Sequence, residues 1–322
     1  MKRKIWITWE SHRRTIELAT ALPNVQLFKL EFNGHWMVRY PYLISRTLLF
    51  LTRERPNLII VQNPSLVLTF IVVTVGKCFG KRVVVDAHNE GLNPFYDKHK
   101  LLLPIYRWLQ KEADLTIVTN KKLAVQVQEN HGRPFVLPDK LPSFHDVKPT
   151  TLVSRHNITY VCTYEKDEPW AEVIKAAHII KPNITIYITG DIKKVPGDIL
   201  ESAPANIIFT GFLPEKEYAA LLYSSNGVMD LTTLDNCLVC GAYEAVSLKK
   251  PMILSDTFIL RSYFNRGALF TQNEYKSIAY KIEELIENFA LLREEVAELR
   301  KSLIADWQKQ WDAFKSFVTD SF

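Results

Sequence analysis

The chain is 322 residues long, enough for two domains of ordinary size. Apolar residues make up 47% and aromatics 11%, which fills packed cores and excludes global disorder. A formal net charge of +5 suits an anionic ligand or a membrane surface without singling out nucleic acid, and four cysteines are too few for a disulfide scaffold.

The basic start runs into an apolar stretch that breaks at Glu10, so no signal peptide is expected. Lys4–Thr8 reads as a strand and 15–22 as a helix. A strand at 58–61 precedes the apolar helix Leu66–Cys78, whose longest apolar run, 66–75, is half of the roughly 20 residues that a spanning helix needs. Strands follow at 82–85 and Leu115–Val118, with helices at 101–112 and Lys121–Glu129. This alternation predicts a parallel sheet with helices on both faces. Residues 134–149 hold Pro134, Pro138, Pro142 and Pro149 and read as a linker.

The alternation then restarts. Strands are expected at 158–161, 185–189, 207–209, 227–231 and 252–254, and helices at 170–180, Glu215–Ser224 and Cys240–Leu248. Two tandem doubly wound, Rossmann-like α/β domains follow, 1–150 and 151–300. The tail, 277–322, reads as helical. Its last part, 301–322, carries Trp307, Trp311, Phe314 and Phe317 at helical spacing and should pack on the core of the first domain.

The residues from Asp230 to Phe270 carry the strongest functional signal. A strand ends at Asp230–Leu231, and a loop through Asn236 leads into a helix that opens with Gly241-Ala-Tyr-Glu-Ala. The N–H groups at such a helix start form an anion site, and Glu244, one turn in, can accept hydrogen bonds from a ribose diol. This stretch resembles the donor site of GT-B glycosyltransferases of the family 4 type, whose loop reads E-G-F-G-x-x-x-x-E-A. Glu244–Ala245 matches the second glutamate of that pattern, Asn236 stands at the first, and Cys237-Leu238-Val239 replaces the Gly-Phe-Gly.

Val161-Cys-Thr-Tyr-Glu-Lys-Asp-Glu-Pro is similar to the first strand–loop of that family's donor domain. The resemblance makes Lys166 a diphosphate contact and places Tyr164 in the same loop. Phe209-Thr-Gly-Phe-Leu-Pro is similar to the family's turn against the base, which puts Phe212 there. The likeness covers about 155–275. In the first half, Val61-Gln-Asn-Pro-Ser and Val84-Val-Asp-Ala-His-Asn resemble strand ends of a lipid-linked-oligosaccharide mannosyltransferase group. Ligands bind at such strand ends, so Asp86, His88 and Asn89 should face the cleft. His88, Asp86 and Glu10 are alternative bases.

Ser11-His12-Arg13-Arg14 follows the first strand and opens a helix, where cations oppose the helix dipole. His12 and Arg13 are therefore expected at a substrate phosphate. Cys237 and Cys240 form a C-x-x-C without a second pair, so they read as packing residues and no metal is expected. Arg39, Arg46, Arg53 and Arg55 with Tyr40 and Tyr42 suit an anionic membrane surface, as do Phe95, Tyr96, Lys98 and Lys100.

These readings imply a cytoplasmic glycosyltransferase at the inner face of the membrane. It would move a sugar from a UDP-sugar, or second from a GDP-sugar, to a lipid-linked or glycan acceptor without a cofactor. The alternatives are a non-catalytic nucleotide-sugar-binding subunit and a GT-B nucleotide-sugar epimerase.

Overall fold

Strands of a parallel sheet covered on both sides must be apolar at successive positions, as residues 58–61 and 83–85 are. The structure, a computed structural model, describes residues 3–63, 65–87, 89–92 and 100–320. The chain divides into two compact units, Met1–Asp139 with Trp307–Phe322, and Lys140–Asp306. The first division falls inside the proline-rich stretch. Residues beyond it lie on the second unit, where the Thr150 N–H donates to Ser224 Oγ at 2.8 Å and the Val153 N–H to the Tyr187 hydroxyl at 2.9 Å.

The first unit contains β1 (Lys4–Thr8), α1 (Arg13–Ala21), β2 (Val25–Lys29), α2 (Trp36–Glu54), β3 (Leu58–Asn63), α3 (Leu66–Cys78), β4 (Arg82–Ala87), α4 (Asn89–Leu92), α5 (Leu103–Glu112), β5 (Leu115–Val118), α6 (Lys121–Glu129) and β6 (Pro134–Val136). Its six strands are parallel in the order β2-β1-β3-β4-β5-β6. Side chains alternate across this sheet. Ile5, Ile7, Ile59, Val61, Val83 and Val85 face a core completed by Leu43 of α2, Leu68 and Val72 of α3, and Leu109 of α5. Trp6, Leu58, Ile60 and Val84 face the opposite core, built with Leu18 of α1 and with Trp307, Trp311, Phe314 and Val318.

The second unit runs β7 (His156–Tyr160), α7 (Trp170–Ala177), β8 (Ile184–Thr189), α8 (Gly197–Ser202), β9 (Ile207–Gly211), α9 (Glu215–Ser224), β10 (Gly227–Asp230), α10 (Cys240–Leu248), β11 (Met252–Ser255), α11 (Phe258–Tyr263), β12 (Ala268–Thr271) and α12 (Tyr275–Glu287). The strand order is β12-β11-β10-β7-β8-β9, again all parallel. A final helix, α13 (Phe289–Asp320), begins in this unit and contributes its last turns to the first. Its start is pinned at Gly267 (φ 65°), where a Cβ would lie 2.2 Å from Val296 Cγ2 and 2.6 Å from Leu292 O.

The fold class matches the sequence reading: two doubly wound α/β units, with the C-terminal aromatics in the first core. Three strands escape that reading, one of them β12 at an edge of the second sheet. β2 is a half-exposed edge strand, and β6 starts at Pro134, which the missing N–H allows at an edge. The helical tail is two helices, broken at Asn288.

Candidate functional site

In an open α/β sheet, ligands bind beyond the carboxyl ends of the strands, where the strand order reverses. In the second unit that point lies between β7 and β10. The loop after β7 and the start of α10 meet there. Asp230, the last residue of β10, is buried at 7% exposure, and its Oδ2 accepts the Gly241 N–H at 2.7 Å. Glycine is required at 241 because a Cβ would lie 2.7 Å from that oxygen and 2.9 Å from Val161 Cγ2. Burial first, then the nearby carboxylates of Glu168, Glu244 and Asp167, push the Asp230 carboxyl well above the usual range, against the Gly241 hydrogen bond.

Glu244 lies one turn inside α10 and is half-buried. The Tyr218 hydroxyl of α9 donates to Glu244 Oε2, and burial and that carboxylate raise the phenol well above its ordinary value. Tyr218 therefore remains a neutral donor that steers the Glu244 carboxylate.

The β7–α7 loop is folded around Glu168. Its carboxylate accepts the Thr163 N–H (2.9 Å), the Glu165 N–H (2.9 Å) and the Thr163 hydroxyl (3.0 Å). Lys194 Nζ braces the same loop, on Thr163 O at 3.0 Å and Glu165 Oε1 at 2.6 Å. Asp167 ties the loop to β10, since Thr232 Oγ1 donates to Asp167 Oδ2 at 2.8 Å and the Thr233 N–H to Asp167 O at 2.7 Å. Lys166 projects from this loop exposed, with no ion-pair partner among the described residues.

Other expected donor contacts are placed differently. Tyr164 (φ 60°) is buried, its ring edge-on to Trp170 at 5.9 Å, so it is a core residue of the loop. Phe212 stands 87% exposed, and Asn236 is half-buried in the loop before α10. Cys237 is half-buried and Cys240 exposed. Among the described residues no group of three or more His, Cys, Asp or Glu could hold a metal ion.

In the first unit, the switch point lies between β1 and β3. Glu10 and His12 are exposed just past β1, with Arg39 Nη2 3.7 Å from Glu10 Oε1. Asp86 ends up elsewhere. It is 1% exposed, and Arg14 donates to its Oδ1 from Nε and Nη2, both at 3.2 Å. Arg14 also reaches Asp139 Oδ1 at 2.6 Å and Leu137 O at 2.9 Å. Burial alone would lower the guanidinium's affinity for its proton, but Asp86 and Asp139 outweigh it and raise it. The anion that offsets the Arg14 cation at the start of α1 is thus internal, Asp86 with Asp139. His88 and the side chains of Arg13 and Asn89 lie outside the described residues.

Asp230, Tyr218, Glu168 and Asp167 were not singled out by sequence. The available signal was the acidic run Glu165-Lys-Asp-Glu between a strand and a helix, together with the strand-terminal Asp230.

No protein-family model matches the sequence, and no curated protein matches it. Solved structures do. The chain is similar to HepE of Anabaena in complex with UDP and glucose, with 12% identity over 98% of this chain and 100% of that one and a TM-score of 0.78. Sucrose-phosphate synthase from Thermosynechococcus elongatus gives 12% identity over 100% and 99%, TM-score 0.79. UDP-GlcNAc 2-epimerase from Methanocaldococcus jannaschii gives 13% over 89% and 93%, TM-score 0.60. At these identities the likeness is one of fold, and the fold is GT-B.

Arg14→Ala should therefore act on stability. Removing one partner of a buried pair leaves Asp86 uncompensated and should cost about 3–5 kcal/mol in urea unfolding. An Arg14→Ala protein as stable as the wild type would contradict the assignment.

Proposed function

We propose that the protein is a glycosyltransferase of the hexosyltransferase type. It takes a nucleotide-diphosphate sugar, UDP-linked ahead of GDP-linked, in its second unit, and passes the sugar to a membrane-linked glycan acceptor in cell-surface polysaccharide synthesis. The observation that carries this reading is Glu244, one turn inside α10 at the switch point of the second sheet, with its carboxylate steered by Tyr218. A carboxylate so held can accept both hydroxyls of a ribose diol. Lys166 is the free cation on the facing loop for the diphosphate, and the N-terminal dipole of α10 stabilises charge on the leaving group without a resident metal. The GT-B fold supports the reading, as do similar structures whose names include UDP and glucose.

Glu244→Ala removes two charge-assisted hydrogen bonds to the ligand and should weaken UDP binding by roughly 2–4 kcal/mol, about 30- to 1,000-fold, and the loss of the acceptor for the Tyr218 hydroxyl should cost about 1–3 kcal/mol of stability. Calorimetric titration of both proteins checks this. Equal affinities, or no affinity of the wild type for UDP or GDP, would end the donor reading.

A second reading, a nucleotide-sugar epimerase, draws support from the similar structure of that name. An isomerised nucleotide sugar formed without any acceptor would favour it over transfer.

The proposal also places the protein at the inner face of the cell membrane. Support comes from α2, where Trp36, Met37, Val38, Tyr40, Tyr42, Leu48 and Leu49 are exposed beside Arg46 and Arg53. Phe95, Tyr96 and Lys98 lie outside the described residues. No helix among the described residues is long and apolar enough to cross a membrane. Vesicles containing anionic lipid should sediment the protein at low ionic strength and release it as salt rises. Failure to sediment at low salt would remove the membrane from the proposal.

A further inference from the structure

Open α/β sheets bind their ligands at the carboxyl ends of the strands. At the opposite, amino end of the first sheet, the closing turns of α2 and α3 leave a cavity of about 330 Å³, a volume in the range of small-molecule sites. Leu51 of α2, Ile59 of β3, Val75 of α3 and Phe79 give it apolar walls, and the cations Arg55 and Lys81 line it too. Leu51 and Ile59 are buried, Lys81 is half-buried and Arg55 is exposed, which puts the apolar part inside and the charge at the opening.

Cations collect at helix C-termini because the last carbonyls carry partial negative charge. Here the backbone itself closes those carbonyls. The Arg55 N–H donates to Leu51 O at 3.0 Å, the Phe79 N–H to Val75 O at 3.0 Å and the Lys81 N–H to Gly76 O at 2.8 Å. Acids on the adjoining elements are engaged as well. Glu54 pairs with Arg3, Glu112 with Lys77, and Asp114 with Arg82 at 2.9 Å. Neither Arg55 nor Lys81 has an ion-pair partner among the described residues.

An apolar interior with two unmet positive charges at its opening matches a molecule with a hydrocarbon tail and an anionic head. Free phosphate would leave the walls uncovered, and a neutral hydrocarbon would leave the charges unmet. The outer side of α2 leads to the same opening. Leu48 lies one turn before Thr52, which also lines the cavity, and Leu48, Leu49 and Phe79 are exposed. Exposed apolar side chains on a basic helix are the mark of a helix that lies in a membrane interface, so a cavity that opens beside them is filled from the bilayer.

We propose that this cavity seats one acyl chain of an anionic phospholipid, with the lipid phosphate held by Arg55 and Lys81, a subsite that rests on the membrane placement given above and makes it selective for lipid. Charge attraction alone weakens as salt rises, whereas a chain seated in an apolar cavity adds affinity that salt does not screen.

The test is titration calorimetry of the full chain with dioctanoyl phosphatidic acid below its micellar concentration. Glycerol 3-phosphate supplies the head without the chains, and dioctanoyl phosphatidylcholine the same chains without net negative charge. The expected result is saturable binding of one phosphatidic acid per protein, with phosphatidylcholine about tenfold weaker or more and no saturation by glycerol 3-phosphate. Each buried methylene is worth about fourfold in affinity, so the dihexanoyl lipid, two methylenes shorter on the seated chain, should bind roughly 15-fold more weakly. Thr52→Trp fills the opening and keeps both cations, and Lys81→Glu keeps the cavity and reverses one of them. Each should weaken phosphatidic acid binding by about tenfold or more. Wild-type affinity in Thr52→Trp, or phosphatidylcholine that binds equally well, would overturn the subsite. Glycerol 3-phosphate that binds as tightly as the lipid would make this a phosphate site and overturn it too. Should Thr52→Trp fail to fold, Lys81→Glu and the lipid comparison decide. Anionic vesicles keep the two readings apart. Sedimentation with them, but no saturable binding of phosphatidic acid, overturns the subsite and leaves the membrane placement standing. Saturable binding without sedimentation overturns the bilayer as the source of the lipid, and the absence of both ends both readings.

Discussion

The carboxylate of Asp230, turned inward onto the N–H of Gly241, fixes how the carboxyl end of the second sheet is built. It sets where α10 begins relative to β10 and forces a glycine at the contact. From there the helix carries Glu244 to a place one turn in, where Tyr218 of α9 holds its carboxylate. The neighbouring loop obeys the same logic. Glu168 gathers the N–H groups of Thr163 and Glu165, and Asp167 fastens that loop to Thr232 beyond β10. Backbone donors that would otherwise be orphaned are satisfied from within, at the cost of concentrating acidic groups in one place.

The first unit uses buried charge for a different end. Arg14 joins the start of α1 to the end of β4 and to the segment after β6, with Asp86, Asp139 and Leu137 O as its partners. Beside it, the Trp307 indole N–H donates to Pro138 O at 3.1 Å, and Trp311 and Phe314 close the core over Trp6 and Ile60. Segments far apart in sequence thus complete one sheet face. The apolar alternation of β1, β3 and β4 explains why that sheet needs helices on both sides.

Much of this was legible in the sequence, because strand–helix alternation and apolar runs mark buried parallel strands strongly. The edge strands were not. β2 is half-exposed, and β6 begins with a proline inside a stretch that composition marks as a linker. Glu244 was legible from the Gly241-Ala-Tyr-Glu-Ala start of its helix. Its partner Tyr218 was not, since one tyrosine in a helix of mixed character carries no signal of what it touches. Two arginines at a helix start looked like an anion site because the dipole argument reveals an unmet charge but not its partner. Arg14 meets that need with Asp86, 72 residues away along the chain. Tyr164 illustrates the same limit in reverse: its loop was located correctly, while its ring turned into the core.

Hydrogen exchange of the full chain with and without saturating UDP tests most directly whether the second sheet's carboxyl end holds the nucleotide. Slowed exchange should concentrate in the loop 161–169 and in 231–245, the segments that flank β7 and β10, because a ligand seated there suppresses local opening. Protection confined to other segments, with these two unchanged while UDP is bound, would contradict the assignment of the donor site.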